Sequence, residues 1–282
     1  MSPKCLECRN RQVTQLTSQA EYTSFTNQRW RASVRPHNHH PSVIRSHSWR
    51  SAENSAAYLL PHLASGMDLL DVGCGPGTIT VDLAKYVSPG RVVGIDRAET
   101  AVNEAVSLGV GNAEFRLGDA YDTGLGDGSF DVIHAHQVLQ HLTDPVRALR
   151  EWKRVLRHGG VLAVRDSDYG AFVWSPADPL LDRWMNLYHQ ITARNGAEAD
   201  AGRRLMDWVR TAGFTEVACT SSNWTFADDE SRTLWGETWA DRVRHSSYAE
   251  QALAYDLSTT AELEEIASAF LRWASDPNGV FI

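Results

Sequence analysis

No run of about 18 apolar residues occurs in the chain, so no stretch of it reads as a membrane-crossing helix. The first thirty residues also lack the apolar core of a secretory signal. Cysteine is scarce: Cys5, Cys8, Cys74 and Cys219 are the four present. Their spacing makes no disulfide framework, which fits a reducing compartment, and the expected location is the cytoplasm. Cys5-x-x-Cys8 has the spacing of half a zinc site, but a closed site takes four ligands and no second cysteine pair exists. His37, His39 and His40 could complete such a set; the plainer reading is two free thiols beside a solvated linker, and no metal is expected. Positive charge is lacking too. The net charge is −8, yet residues 1–50 hold eight Lys and Arg against Glu7 and Glu21, a net of +6. The rest of the chain therefore carries −14, which argues against a nucleic-acid partner, because phosphate contact needs a basic face.

What is present is ordinary for a globular protein: 282 residues, 43% hydrophobic and 22% charged, enough for one large α/β domain. Residues 1–41 read as a basic arm. It is open to three readings: a flexible tail, a mitochondrial transit peptide (rich in Arg, Ser and Thr, poor in acids), or an interaction arm. The ordered domain is expected over 42–282. "SVIRSHSWRSAENSAAYLLPHL" puts Ala56, Ala57, Leu59, Leu60 and Leu63 near helical spacing, with Pro61 near the helix end. Beyond it, "MDLLDV", "RVVGID", "AEFRLGD", "GSFDVIHAH" and "GGVLAVRD" read as strands. Helices separate the first, second and third of these, and "DPVRALREWKRVLR" is a helix between the fourth and fifth. That alternation implies a doubly wound, mostly parallel sheet with helices on both faces. "TEVACTSSNWTF" reads as a sixth strand. Residues 228–274 look helical, with Thr260 as N-cap of a helix burying Leu263, Ile266, Ala267 and Phe270. Only "VFI" remains for a seventh strand, which is expected to be short or missing and to leave an exposed sheet edge. The sheet thus has six to seven strands, with a helical cap.

The stretch "LLDVGCGPGT" places Gly73, Gly75 and Gly77 at alternate positions after the first strand. One glycine suffices for a tight turn, so three suggest backbone that comes close to a ligand at the carboxyl ends of the strands. Exposed N–H groups there would suit a polar or anionic ligand. The dinucleotide fingerprint G-x-G-x-x-G needs a third glycine at 78, where the chain has Thr78. Asp96 ends the second strand, 25 residues after Asp71, where an acid can accept from two ribose hydroxyls.

With these residues in view, the chain resembles the class I S-adenosylmethionine-dependent methyltransferases, and most nearly their small-molecule branch typified by ubiquinone/menaquinone-biosynthesis methyltransferases. The resemblance runs from about Ser46 to Asp168 and more loosely to Phe226. It rests on "LLDVGCGPGTITVDLA", "VVGIDRA", "FRLGDAYDTGLGDGSFDVIHAHQVLQHL" and "ALREWKRVLRHGGVLAVRD", in that order. It departs at His158, where the family commonly has proline. The resemblance implies a Rossmann-like fold and S-adenosyl-L-methionine as cofactor. Asp71 would support the methionine amino group, and Gly73, Cys74, Gly75 and Gly77 would form the close loop. Asp96 would hold the ribose, with Arg97 beside the adenine. Asp119 and Ala120 would face the adenine amino group, and His136 and Gln137 would border the methionine part. Trp49 and Arg50 would close a lid over the cofactor.

A sulfonium methyl is already activated, so such an enzyme mainly aligns the acceptor and excludes water. If the acceptor must lose a proton, His141 and then His136 are the candidate bases, with Asp166 and Asp168 behind them. Asp119 could also be a turn aspartate, and His134 reads as packed. The acceptor pocket is expected from segments near 169–200 and 228–274, with Tyr169, Phe172, Trp174, Trp184 and Tyr188 as an aromatic set together with Trp235 and Trp239; core packing is the alternative for each. The expected partner is therefore a small, aromatic or apolar molecule. The alternative function is a cofactor-binding regulatory subunit without methyl transfer. The sequence says nothing of oligomeric state.

Overall fold

The computed structural model describes residues 49–282. Expectations for the basic arm, Cys5, Cys8 and the His37–His40 cluster lie outside the described residues. Strand β1 (Leu69–Val72) is buried along its whole length, as befits four apolar-rich residues that pair on both edges. β2 (Val92–Asp96) lies on one side of it and β4 (Phe130–His136) on the other, with β3 (Ala113–Leu117) and β5 (Leu156–Arg165) outermost. All four pairings are parallel. The chain moves outward one way from β1 through β2 to β3, then crosses back to β4. The crevice at this switch point, between the carboxyl ends of β1 and β4, is where a doubly wound sheet holds its ligand.

The connecting helices follow their apolar spacing. After the short turn of helix α1 (Ala52–Ser55), α2 (Thr78–Val87) buries Ile79, Leu83, Ala84 and Val87. α3 (Glu99–Val106) buries Ala101, Val102 and Ala105. α4 (Pro145–Val155) starts on Asp144, whose side chain accepts from the Arg147 N–H at 3.0 Å. Its buried Ala148, Leu149, Trp152 and Val155 pack on one sheet face together with Leu205, Trp208 and Val209 of α6 (Ala201–Thr211). The other face meets α2 and the segment from Ala52 to Leu59. A separate core lies in the cap formed by α5 (Pro179–Arg194), α7 (Asp229–His245), α8 (Ser247–Ala254) and α9 (Thr260–Ser275), centred on Trp184, Trp239, Phe270 and Phe281.

Three expectations are corrected. The helix expected across 42–63 is, in its described part, α1, a turn, and a 3-10 turn over Leu60–His62. Pro61 has no N–H to continue an α-helix, and its ring would clash with the carbonyl four residues back. The N-cap of α9 is Thr259, whose hydroxyl accepts from the Glu262 N–H, one residue before the expected Thr260. The central sheet has five strands, not six or seven. Within the expected sixth strand, Ser221, Ser222 and Asn223 are exposed and offer no apolar face to bury, so no strand forms over 215–225. Phe226 alone bridges, through a pair of backbone hydrogen bonds to Phe281.

The short seventh strand, β7 (Val280–Phe281), does not join the central sheet. It pairs antiparallel with β6 (Trp174–Ser175) in the cap. Phe281 is 1% exposed and its ring meets those of Phe172, Trp174, Trp184, Trp235 and Trp273. A residue next to the chain end thus anchors the cap. Phe281→Ala is expected to cost about 3–5 kcal/mol, read as a lowered midpoint of urea unfolding.

Candidate active site

The glycine loop after β1 is built on left-handed backbone. Gly73 has φ +69° and Gly77 φ +83°, conformations that disfavour any side chain. A Cβ at Gly73 would lie 2.4 Å from the Val138 Cγ2. One at Gly77, the first residue before α2, would lie 2.8 Å from the Ala105 Cβ and 3.0 Å from the Phe115 ring. Gly77 is therefore glycine for packing between helix and strand, and it is not on the cleft wall, whereas Gly73, Cys74 and Gly75 are. The expected free N–H groups are not there at the loop's core. Gly73 and Cys74 both donate to the Ile95 carbonyl, Gly77 to the Cys74 carbonyl, and Gly75 to the Asp96 carboxylate at 3.0 Å. The loop contributes shape; its donors are already engaged. Burial raises the Cys74 thiol pKa well above its ordinary value, so it is an inert wall group.

Side chains supply the polarity instead. Asp71 is buried at the end of β1, accepting from the Thr80 hydroxyl at 2.5 Å and paired with the His134 Nδ1 at 2.7 Å. Asp96 accepts from the Gly75 and Ala98 N–H groups, one on each oxygen. Those bonds hold its rotamer and leave each oxygen a further acceptor site. Asp119 accepts from the Tyr121 N–H at 2.8 Å, the turn bond that the sequence allowed for it. It nonetheless lines the same cleft, of about 950 Å³, with Arg97, Ala120, His136, Gln137 and His141.

Gln137 ties the ends of β4 and β5 to the start of the described chain. Its φ is +57°, a strained conformation worth about 1–3 kcal/mol when a non-glycine residue holds it. Its N–H donates to the Arg165 carbonyl, its amide nitrogen to the Ser167 hydroxyl, and its amide oxygen accepts from Arg50. Arg50 also keeps a buried Nε without a hydrogen-bond partner. Burial, then the Arg242 and Arg165 cations, lowers its pKa, but a guanidinium remains charged at neutral pH.

Beyond Gln137 the cleft meets a second cavity of about 1030 Å³. Arg50, Gln137, Tyr169, Trp239 and Arg242 line both. Of the expected aromatic set, Tyr169 and Phe172 line this second cavity with Trp235 and Trp239, and Tyr188 lines the first. Trp174 and Trp184 belong to the cap core. Trp49 lines the second cavity, with its ring edge-on to Trp224 at 4.9 Å. Tyr58, Arg165, Trp224 and Arg242 are wall residues that sequence reading did not single out. Arg165 had a signal, a cation ending an apolar strand; the other three come together only through folding.

The candidate bases separate. His141 is exposed at the rim of the first cleft and is not among the residues lining the second. Desolvation of its ring, then the Arg97 and Arg50 cations, lowers its pKa to about 4, so it is neutral but weakly basic at pH 7. His136 is buried, 3.4 Å from Arg165 through its Nε2, with its ring edge-on to Trp224. Asp166 lines the second cavity. One of its oxygens accepts from the Gln140 N–H at 3.0 Å and the other is buried without a partner. Burial, which outweighs those N–H donors and Arg165, pushes its carboxyl up to about 7. Asp168 is taken up by Arg203, at 2.6 and 2.8 Å.

Among the described residues no helix is long and apolar enough to cross a membrane, and no group of three His, Cys, Asp or Glu is placed to hold a metal. Residues 63–224 match the model of a methyltransferase-domain family. An uncharacterised methyltransferase of Schizosaccharomyces pombe is 34% identical over 251 residues, covering 85% of this chain and 89% of its own length. A probable methyltransferase of Aspergillus luteorubrus is 37% identical over 172 residues, 56% of this chain and 60% of that one. Among solved structures, an S-adenosylmethionine-dependent methyltransferase from Aquifex aeolicus aligns with a TM-score of 0.41 at 29% identity, over 45% of this chain and 73% of that chain.

Asp166 makes stability depend on pH. Its folded pKa lies above the unfolded value, so its contribution is complete below about pH 4 and is lost as pH rises through about 7. Asp166→Asn keeps the acceptor for Gln140 and removes the buried charge. It is expected to raise the melting temperature relative to the parent, by more at pH 8 than at pH 5, in paired calorimetric scans.

Proposed function

The chain belongs to the methyltransferase-domain family, and we propose that this S-adenosylmethionine-dependent methyltransferase acts on a small molecule with an aromatic or apolar body, as in the branch typified by ubiquinone/menaquinone-biosynthesis methyltransferases. The observation that carries this reading is the second cavity, walled by Trp49, Trp224, Trp235 and Trp239, which shares lining residues with the cleft at the sheet's carboxyl edge. Its size and aromatic walls suit a flat or apolar acceptor. The −14 carried by the residues after 50 disfavours a nucleic-acid acceptor.

The residues of the first cleft fit the cofactor by their chemistry. Asp96 has acceptor capacity for ribose hydroxyls, and Asp71 offers a buried carboxylate for an ammonium group. Arg50, with its buried Nε, offers a cation for the methionine carboxylate at the junction of the two cavities. Arg97, Asp119 and Ala120 would flank the adenine, and His136 and Gln137 the methionine part. When bound there, S-adenosylmethionine supplies a methyl group on a positively charged sulfur, ready for transfer.

The chain's own task is then alignment and exclusion of water. Gln137, held at both ends of its amide, fixes the boundary between cofactor and acceptor. The tryptophan walls exclude solvent, which strengthens the electrostatic contacts inside. For an acceptor that must lose a proton, Asp166 is the better base. It lines the acceptor cavity and titrates near neutral pH, where a general base is most effective. His136 is the second candidate, and His141, with its lowered pKa at the cofactor rim, is a positioning group. A regulatory role without methyl transfer is not favoured by a chain whose close relatives are named as methyltransferases.

Incubation with methyl-labelled cofactor and separate panels of aromatic small molecules and RNA tests the reading: label is expected in a small molecule. Label found only in RNA would overturn the acceptor class. Calorimetry with S-adenosylhomocysteine tests the cleft. Asp96→Ala is expected to weaken binding by about 1.5–3 kcal/mol for each charge-assisted hydrogen bond lost, and an unchanged dissociation constant would remove Asp96 from the site.

A further inference from the structure

Two residues on the wall of the second cavity each carry a buried polar atom with no hydrogen-bond partner among the described residues: the Tyr58 hydroxyl and the Asp166 Oδ2. Neither residue lines the first cleft, so a cofactor held there leaves both unanswered. Tyr58 is 4% exposed. Burial raises its pKa, so its hydroxyl stays neutral and keeps a proton to donate. Asp166 follows β5, and the Gln140 N–H already holds its other oxygen at 3.0 Å. The two residues belong to one neighbourhood: the Arg165 cation acts on both, and Asp166 acts on Tyr58. Arg165 is itself held over the Trp224 ring at 4.6 Å, and it too lines the second cavity alone. A buried donor or acceptor without a partner is costly, and a donor and an acceptor left open on one cavity wall mark where a ligand supplies what is missing.

Deepening the methyltransferase reading on which it rests, we propose that the methyl acceptor is a hydroxyl oxygen on an aromatic ring, held between Asp166 and Tyr58, with Asp166 as the catalytic base. A phenolic O–H donates one hydrogen bond and keeps lone pairs to accept others. It can therefore donate to the Asp166 Oδ2 and accept from the Tyr58 O–H at the same time. An ether or a ketone has nothing to donate to Asp166, and a carboxylate would meet it as a like charge. An aryl amine donates, but its conjugated lone pair accepts poorly. In the transfer step Asp166 takes the hydroxyl proton as the acceptor oxygen forms its bond to the methyl carbon. The bond from that carbon to sulfur breaks with its electron pair left on sulfur, and Asp166 afterwards gives its proton to solvent. Arg165, on the same wall, offers a cation to the oxygen as negative charge develops there. Trp49, Trp224 and Trp235, which line this cavity alone, cover the ring.

The test uses the full chain loaded with S-adenosylhomocysteine and a matched pair of probes, 4-hydroxyacetophenone and its methyl ether 4-methoxyacetophenone. Both are followed by calorimetry and by quenching of the cavity tryptophans. The phenol is expected to bind about tenfold more tightly than the ether, and Tyr58→Phe and Asp166→Asn each to narrow that gap. Turnover with methyl-labelled cofactor then compares 4-hydroxyacetophenone with 4-aminoacetophenone, and label is expected in the methyl ether. Asp166→Asn is expected to lower kcat for the phenol about a hundredfold while S-adenosylhomocysteine affinity and melting temperature are kept. Equal binding of phenol and ether would mean that water answers the two open groups and would overturn the proposal. So would binding of neither at millimolar concentration, label in the amine but not the phenol, or a kcat untouched by Asp166→Asn. Label found only in RNA would instead overturn the small-molecule reading beneath it, and a chain that fails to bind S-adenosylhomocysteine would overturn the cofactor assignment.

Discussion

A side chain at Gly73 would sit 2.4 Å from a methyl of Val138, and the carboxyl edge of the sheet is arranged around that close approach. β1 is buried on both faces and paired on both edges, so the chain leaving it has no room to drift. It turns at once through left-handed backbone at Gly73, Gly75 and Gly77 and enters α2. The same tight turn brings the Gly73 and Cys74 N–H groups to the Ile95 carbonyl and the Gly75 N–H to Asp96. The ends of β1 and β2 are thereby locked together, and the acid at the end of β2 is oriented without any ligand. On the other side, Val138 is the residue after Gln137, whose strained backbone carries the link to Arg50, Arg165 and Ser167. The first cleft and the second cavity are two sides of one crowded junction.

Asp71, Asp96 and Asp119 line the first cleft. Arg165, with Trp49, Trp224 and Trp235, lines the second cavity alone, and Arg50 and Arg242 line both. The cap makes this separation possible. Its core rests on aromatic rings from α5, α7 and α9 and on the final residues of the chain, so an insertion between β5 and the chain end provides the walls that the five-stranded sheet lacks. A sheet edge not extended by further strands leaves the segment over 215–224 free to line the cavity with Cys219, Thr220 and Trp224.

Much of this was legible in the chain. The alternation of short apolar strands with 3.6-periodic helices determined the order of β1 to β5 and which face of α9 is buried. The glycine spacing, with Thr78 where a dinucleotide fold needs glycine, and the acids at the ends of β1 and β2 placed the cofactor loop. Local periodicity and turn chemistry suffice for such features because they are properties of neighbours in sequence. The same logic failed over 215–225, where propensity suggested a strand but Ser221, Ser222 and Asn223 stay exposed, and at Pro61, where apolar spacing ran on past a residue that cannot continue a helix.

Tertiary structure alone decided what the glycines are for and which charges meet. Gly77 looked like a ligand contact and is a packing contact with Ala105 and Phe115, residues 28 and 38 positions away. His141 and Asp166 looked like a strong and a weak base, and their surroundings reverse the order: desolvation and two cations lower one pKa, while burial raises the other. Arg50, Arg165 and Arg242 come from the start of the described chain, the end of β5 and the last turn of α7, and no spacing relates them. A pKa depends on solvent exclusion and on groups distant in sequence. Periodicity could therefore determine the scaffold and the glycine loop, while the chemistry of the second cavity was decided only when the chain folded.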